Sequence, residues 1–153
     1  MQPFPHHYAV SAAGEASGDV ELTSANVPAI HCASPPEFDG PGNRWSPETL
    51  LVGAIADCFI LTFRGVARAS KLSWNSIRCH VAGTLNRVDR VTQFTEFELT
   101  AHLHLPAGIN TDIAHRALEK AEHHCLISNS LKGAIHLVTH VHVAEPDAAL
   151  TLA

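Results

Sequence analysis

The first 43 residues contain no lysine or arginine, so every basic side chain lies from Arg44 onward. Across 153 residues there are 10 Lys+Arg against 15 Asp+Glu, a formal charge of −5. Nucleic acids and anionic membranes recruit basic surfaces, so neither is expected as a partner. No C-x-x-C occurs: Cys32, Cys58, Cys79 and Cys125 are far apart in the chain, which argues against a zinc site and a disulfide framework. The start, Met1-Gln2-Pro3-Phe4-Pro5, lacks the basic segment and apolar run of a secretory leader. The longest apolar stretch, Leu50 to Phe63, is short for a membrane span and carries Asp57. A soluble protein in the reducing cytoplasm is therefore expected, where a cysteine is either a small buried hydrophobe or a reactive group.

What is present suits a single domain, 1–153, with a core from about 8 to 143 and a loose tail over 146–153. Apolar residues make up 46% of the chain and charged residues 16%, enough to build a core. Tyr8-Ala9-Val10 and Val20 to Thr23 read as a hairpin around Gly14 and Ser17-Gly18-Asp19, followed by a Pro/Gly-rich loop from Ser34 to Arg44. Ser46, Pro47 and Glu48 are N-cap, first-position and dipole-matched residues opening a helix to about Lys71. That helix is apolar on nearly every side, which places it in the middle of a fold or of a dimer. Gly53 offers a point for a break.

Ile77, Cys79, Val81 and Leu85 alternate with polar residues, as do Phe97, Leu99, Ala101, Leu103 and Leu105. Half-wet strands of this kind favour antiparallel pairing. A second helix is expected over about 112–124, with Ile113, Ala117, Ala121 and Cys125 as its apolar stripe, and Ile135 to Val143 reads as a last strand. The order β–β–long helix–β–β–helix–β gives an α+β domain in which a long apolar central helix packs against antiparallel sheet. One small sheet can hardly cover both sides of such a helix, so a homodimer is expected.

On the residues alone, Cys58 and Cys125 can be core thiols or reactive ones, and both readings stand. Cys79 alternates with apolar residues and reads as structural, while Cys32 carries no pattern. The wording around the first two is more specific. Arg44-Trp45-Ser46-Pro47-Glu48-Thr49-Leu50-Leu51, a small-residue run and then Cys58-Phe59, with Ala121-Glu122-His123-His124-Cys125-Leu126-Ile127-Ser128 later, resembles the OsmC/Ohr family of osmotically inducible and organic hydroperoxide resistance proteins. The resemblance spans about Tyr8 to Val143.

It implies an intertwined α+β homodimer with active sites at the interface. It also implies a cysteine-based peroxidase for organic hydroperoxides, in which Cys58 becomes a sulfenic acid and Cys125 closes a disulfide behind it. The reductant would be a lipoylated protein, a thioredoxin or a small thiol, and no cofactor is called for. The motif glutamate falls on Glu48. A buried thiol needs a cation to become a thiolate near neutral pH. The family places there an arginine from the N-terminal strands, held by that glutamate, and here residues 1–43 have none. Arg44 is the best substitute and Arg64 the second. On one straight helix Glu48 and Cys58 would be about 15 Å apart along the axis, so a shared site needs a break near Gly53 or a returning loop.

Trp45, Phe59, Phe63 and Phe94 are either an apolar substrate pocket or simply core. Two alternatives accompany the peroxidase: an OsmC-like domain that holds an apolar ligand with little turnover, and metal binding by histidines. Twelve histidines include the H-x-H pairs His102/His104 and His140/His142, with His80 and His136 on the polar sides of their strands. No carboxylate or cysteine joins them at ligand spacing, so a polar sheet face is the competing reading. His123 and His124 could instead tune Cys125.

Overall fold

In the N-terminal region the chain bends through Ser17 and Gly18 and pairs antiparallel on either side of them, so the expected hairpin forms, with a first strand shifted along the chain. A computed structural model describes residues 2–145, and the expected tail at 146–153 lies outside them. It divides into two compact units, one ending at Leu51 and one beginning at Val52. The first holds a three-stranded antiparallel sheet of β1 (Ser11–Ala13), β2 (Val20–Thr23) and β3 (Ile30–Cys32). The first strand thus starts beyond Tyr8-Ala9-Val10, and β3 is an addition that three residues of pattern could not announce. Nearly every residue of this sheet is exposed, Tyr8 before it is 90% exposed, and Cys32 and Ser46 are the buried ones among the unit's described residues. Past β3 the chain returns alongside it, with Ala33 N–H donating to the Trp45 carbonyl at 2.9 Å.

Ser46 starts α1 (Pro47–Ala69) as its sequence suggests. Its hydroxyl accepts from Thr49 N–H at 3.2 Å, and Thr49 Oγ1 accepts from Ser46 N–H at 2.9 Å. This is a reciprocal cap satisfying two donors at the helix start. The helix runs unbroken through Gly53 for 23 residues. Its buried stripe is Ile55, Phe59, Phe63 and Ala67, at the i, i+4 spacing of one face. Length and composition would let α1 cross a membrane, but that stripe is sealed in the core of the second unit, which makes it the central helix of a soluble domain.

The second unit's sheet is β4 (Ser76–Val88), β5 (Val91–Leu105) and β6 (Ala134–Val143), in that order. β4 and β5 form a hairpin closed by Asp89 and Arg90, both at positive φ (49° and 71°). Two such residues make the turn whose twist matches the flanking strands. A bulge shifts the register between Thr84 and Leu85, with Thr95 of β5 as the extra residue, so that Leu85 stands opposite Phe94; Leu85 lies beyond the core and is exposed. β5 carries the pattern most plainly: Phe97, Leu99, Ala101, Leu103 and Leu105 are all fully buried. Phe97 needs room on both sides. A Cβ on Gly83 would come within 3.0 Å of its ring, and one on Gly133 within 2.8 Å.

The sheet is mixed, because β6 runs parallel to β5. The intervening α2 (Thr111–His123) makes the crossover that a parallel pair requires. Asn110 caps α2 by accepting from Asp112 N–H at 2.8 Å. Its buried residues are Ala114, Ala117, Leu118 and Ala121. The expected stripe shares Ala117 and Ala121 with this face, but Ile113 is exposed. His115 Nδ1 and Thr139 Oγ1, 2.9 Å apart, tie α2 to β6.

Candidate functional site

A thiol on α1 and one just beyond α2 meet in the second unit. Cys58 lies beside the buried stripe, next to Phe59, and is half-buried; its sulfur is 3.9 Å from Thr62 Oγ1 one turn along. Cys125 is fully buried. It is placed by the way α2 ends: Cys125 N–H donates to the Glu122 carbonyl at 3.0 Å, and Asn129 N–H donates to the Cys125 carbonyl at 3.0 Å. The chain thereby turns through Cys125 into the short helical turn Ser128–Ser130.

The Cys125 thiol lies close enough to Cys58 for the two to influence each other's ionisation. Its pKa is raised above the ordinary value, first by burial, with the neighbouring Cys58 adding to the effect. Ser128 opposes this through its hydroxyl and backbone amide. The same hydroxyl is buried and has no hydrogen-bond partner among the described residues. Cys79, on the inner face of β4, is a third thiol in this neighbourhood, pushed up to about 12 first by burial and then by Cys125. All four cysteines are reduced. Two nearby thiols in this state can pass between dithiol and disulfide once one of them is oxidised.

The remaining site residues fall as follows. Phe59 and Phe63 are fully buried, and Phe63 packs edge-on against Trp74 with ring centroids 5.4 Å apart, so both back the site from the core. Phe94 stacks on Phe97 at 5.1 Å. In the first unit Trp45 is 56% exposed. Arg44 Nε donates to Asp19 Oδ2 at 2.7 Å, while Glu48 Oε2 is buried without a hydrogen-bond partner. The Arg44–Glu48 pairing is therefore not formed within this chain. Arg64 is exposed on α1.

His124 does not point its ring at Cys125's function. Its Nδ1 donates to the Lys120 carbonyl at 2.8 Å and closes the end of α2. Sequence reasoning missed Thr62, Ser128 and the position of Cys79, for which strand alternation gave only an inward side chain.

The OsmC-like protein family model matches residues 40–140 of this chain. The uncharacterised protein YmaD of Bacillus subtilis is 29% identical over 106 residues, 67% of this chain and 71% of its own length. An OsmC-like protein of unknown function from Vibrio cholerae superposes with a TM-score of 0.82 at 15% identity, covering 89% of this chain and 100% of the other. An organic hydroperoxide resistance protein OsmC from Legionella pneumophila, also named a predicted redox protein, superposes with a TM-score of 0.69 at 26% identity, covering 92% and 100%. With a matched model across both cysteine segments and the same fold in these neighbours, the chain belongs to the OsmC-like protein family.

Proposed function

We propose that this protein is a thiol-dependent peroxidase that reduces organic hydroperoxides, with Cys58 attacking and Cys125 resolving. The observation that supports it is the nearness of these two thiols, 67 positions apart in sequence, among buried apolar side chains, with Cys58 one of the groups that raise the pKa of Cys125. The name of the Legionella relative supports the substrate class.

In the first step the Cys58 thiolate attacks the terminal peroxide oxygen, the O–O bond breaks, and the departing alkoxide takes a proton from water and leaves as the alcohol. Cys58 is then a sulfenic acid. In the second step the Cys125 sulfur attacks the Cys58 sulfur, water leaves, and a Cys58–Cys125 disulfide results. A dithiol donor of the lipoyl or thioredoxin type, or a small thiol, returns two electrons by exchange. Burial of Cys125 keeps its thiol protonated until the sulfenic acid forms beside it, which suits a resolving rather than an attacking role.

Phe59 and Phe63 keep water from the buried side of Cys58, and exposed Trp45 offers an apolar surface to an alkyl substrate. Glu48, with its unpartnered oxygen, is the acceptor for an activating arginine. Arg44 can be released to it cheaply, since exposed ion pairs such as Arg44–Asp19 contribute about 0–1 kcal/mol. A second copy would cover the exposed β1–β3 sheet, which is too small to stand alone, and a reducing cytoplasm would keep the thiols charged with electrons.

One equivalent of an organic hydroperoxide added to reduced protein should remove two thiols per chain rapidly, and not in Cys58→Ser. Equal loss in the variant would reject the reading. The ligand-binding alternative has one observation in its favour, a mostly apolar cleft of about 330 Å³ in the first unit lined by Val20, Leu22, Cys32, Pro47 and Leu50.

A further inference from the structure

The outer face of the second unit's sheet gathers histidines that no step of the peroxidase cycle uses. In the parallel register of β5 and β6, His102 stands opposite His140 and His104 opposite His142. The rings stack as a ladder: His102 on His140 at 4.5 Å between centroids, His104 on His142 at 4.7 Å, and His102 diagonally on His142 at 5.6 Å. The diagonal pair brings two ring nitrogens, His102 Nδ1 and His142 Nε2, to 3.3 Å. Beside them opens a cleft of about 380 Å³ lined by Ser76, Arg78, His102 and His104.

We propose that His102 Nδ1 and His142 Nε2 form a surface binding site for a divalent late transition metal such as zinc, nickel or copper. Two imidazole nitrogens held about 2.0–2.1 Å from one tetrahedral ion stand about 3.3 Å apart, so the observed spacing is already that of a chelate. Imidazole is a preferred donor for these metals. In their absence the same two atoms share one hydrogen bond, one ring donating and the other accepting. On metal binding the donating ring takes the other tautomer, its proton passing through solvent to its second nitrogen, so that both facing nitrogens offer lone pairs to the ion. Among the described residues no group of three or more His, Cys, Asp or Glu side chains converges on a metal position. The protein therefore supplies two donors, and water or an added ligand in the cleft completes the shell. Arg78 stands opposite His102 across the β4–β5 ladder. Its charge limits affinity for a bare cation and favours an anionic ligand, such as a carboxylate or phosphate, as the third donor.

The buried thiols are the competing metal ligands, and the measurement separates the two. Ni²⁺ would be titrated calorimetrically into the reduced full chain, His102→Gln, His142→Gln, Cys58→Ser and the His6→Gln/His7→Gln double variant. The expected result is one ion per chain, with affinity reduced tenfold or more by each of the first two substitutions and within twofold of the parent for the others. A companion long-range ¹H–¹⁵N spectrum with Zn²⁺ should shift the Nδ1 resonance of His102 and the Nε2 resonance of His142. Affinity unchanged in both ladder variants, or lost in Cys58→Ser alone, overturns the assignment.

Discussion

The two faces of the β4–β5–β6 sheet are built from the same three strands and share almost nothing chemically. The inner face carries Cys79, Val81, Phe97, Leu99, Ala101, Leu103 and Leu105 against the two helices; the outer face carries Arg78, His80, His102, His104, His136, His140 and His142. On each face at least one titratable group is shifted toward its neutral form, with a different balance of causes. On the inner face, burial raises Cys79 and Cys125, so the thiols hold their protons. On the outer face, His102 is lowered by desolvation within its stack and then by the positive charge of His140, His142, His104 and Arg78. Low dielectric and crowded like charge thus serve the same end on opposite sides of one backbone. The inner face can hold a redox reaction, while the outer can offer lone pairs.

The largest effect that would sharpen this contrast is on the thiol side. In Cys125→Ser the sulfenic acid of Cys58 has no resolving partner, so sustained turnover with a dithiol reductant should fall at least a hundredfold. One equivalent of peroxide should still be consumed, and the sulfenic acid should be trapped by dimedone and counted by mass spectrometry. Turnover near that of the parent would remove Cys125 from the cycle.

Packing gives the next effect. Phe97 is fully buried between Gly83 and Gly133, so Phe97→Ala should cost about 3–5 kcal/mol in urea unfolding, as large aromatic-to-alanine changes in cores do. His140→Ala on the other face should stay within about 0.5 kcal/mol of the parent. Comparable losses at both positions would mean that the outer ladder also holds the sheet together.

How much of this was legible in the residues depends on the range over which each feature acts. Local signals read well. Ser46 is an N-cap in fact, and the alternation from Phe97 to Leu105 survives position by position. Other features did not read: the bulge that leaves Thr95 unpaired, and the buried stripe of α2, rotated so that Ala114 and Leu118 replace Ile113. The parallel β6 was hidden because an alternating strand has the same pattern in either direction. The crossover through α2 was the clue that decides it. The approach of Cys58 to Cys125 is a long-range contact that no periodicity encodes, and only the wording shared with a family pointed to it. Nothing local marked Cys79 as their neighbour.

Cys79 supplies a smaller effect, at alkaline pH. Its pKa rises from the ordinary 9.0 to about 12 in the folded protein. Between those values the unfolded chain has lost a proton that the folded chain still binds, so folding stability falls as pH rises from about 9 toward 12. Cys125 is shifted the same way and adds to the slope. Urea midpoints of the parent should therefore drop across this window, and those of Cys79→Ala should drop less. Parallel curves would show that the thiol is solvated in the folded state.

The smallest effect belongs to the outer face and runs toward acid. With the pKa of His102 lowered below its ordinary 6.5, the unfolded chain binds a proton there that the folded chain resists. Stability contributed by the neutral ring is present above that value and is lost as pH falls from about 6.5 through the folded pKa. Because the ladder lies on the surface, the slope should be shallow and should steepen at low salt, where the charges of Arg78 and the neighbouring rings are less screened. Thermal midpoints taken from pH 7.5 to 5 should show this decline in the parent and a flatter line in His102→Gln. If instead the parent declines equally at low and high salt, the rings do not sense one another's charge. The shift of His102 would then come from desolvation in the stack alone, and the two faces would be more alike in physics than in composition.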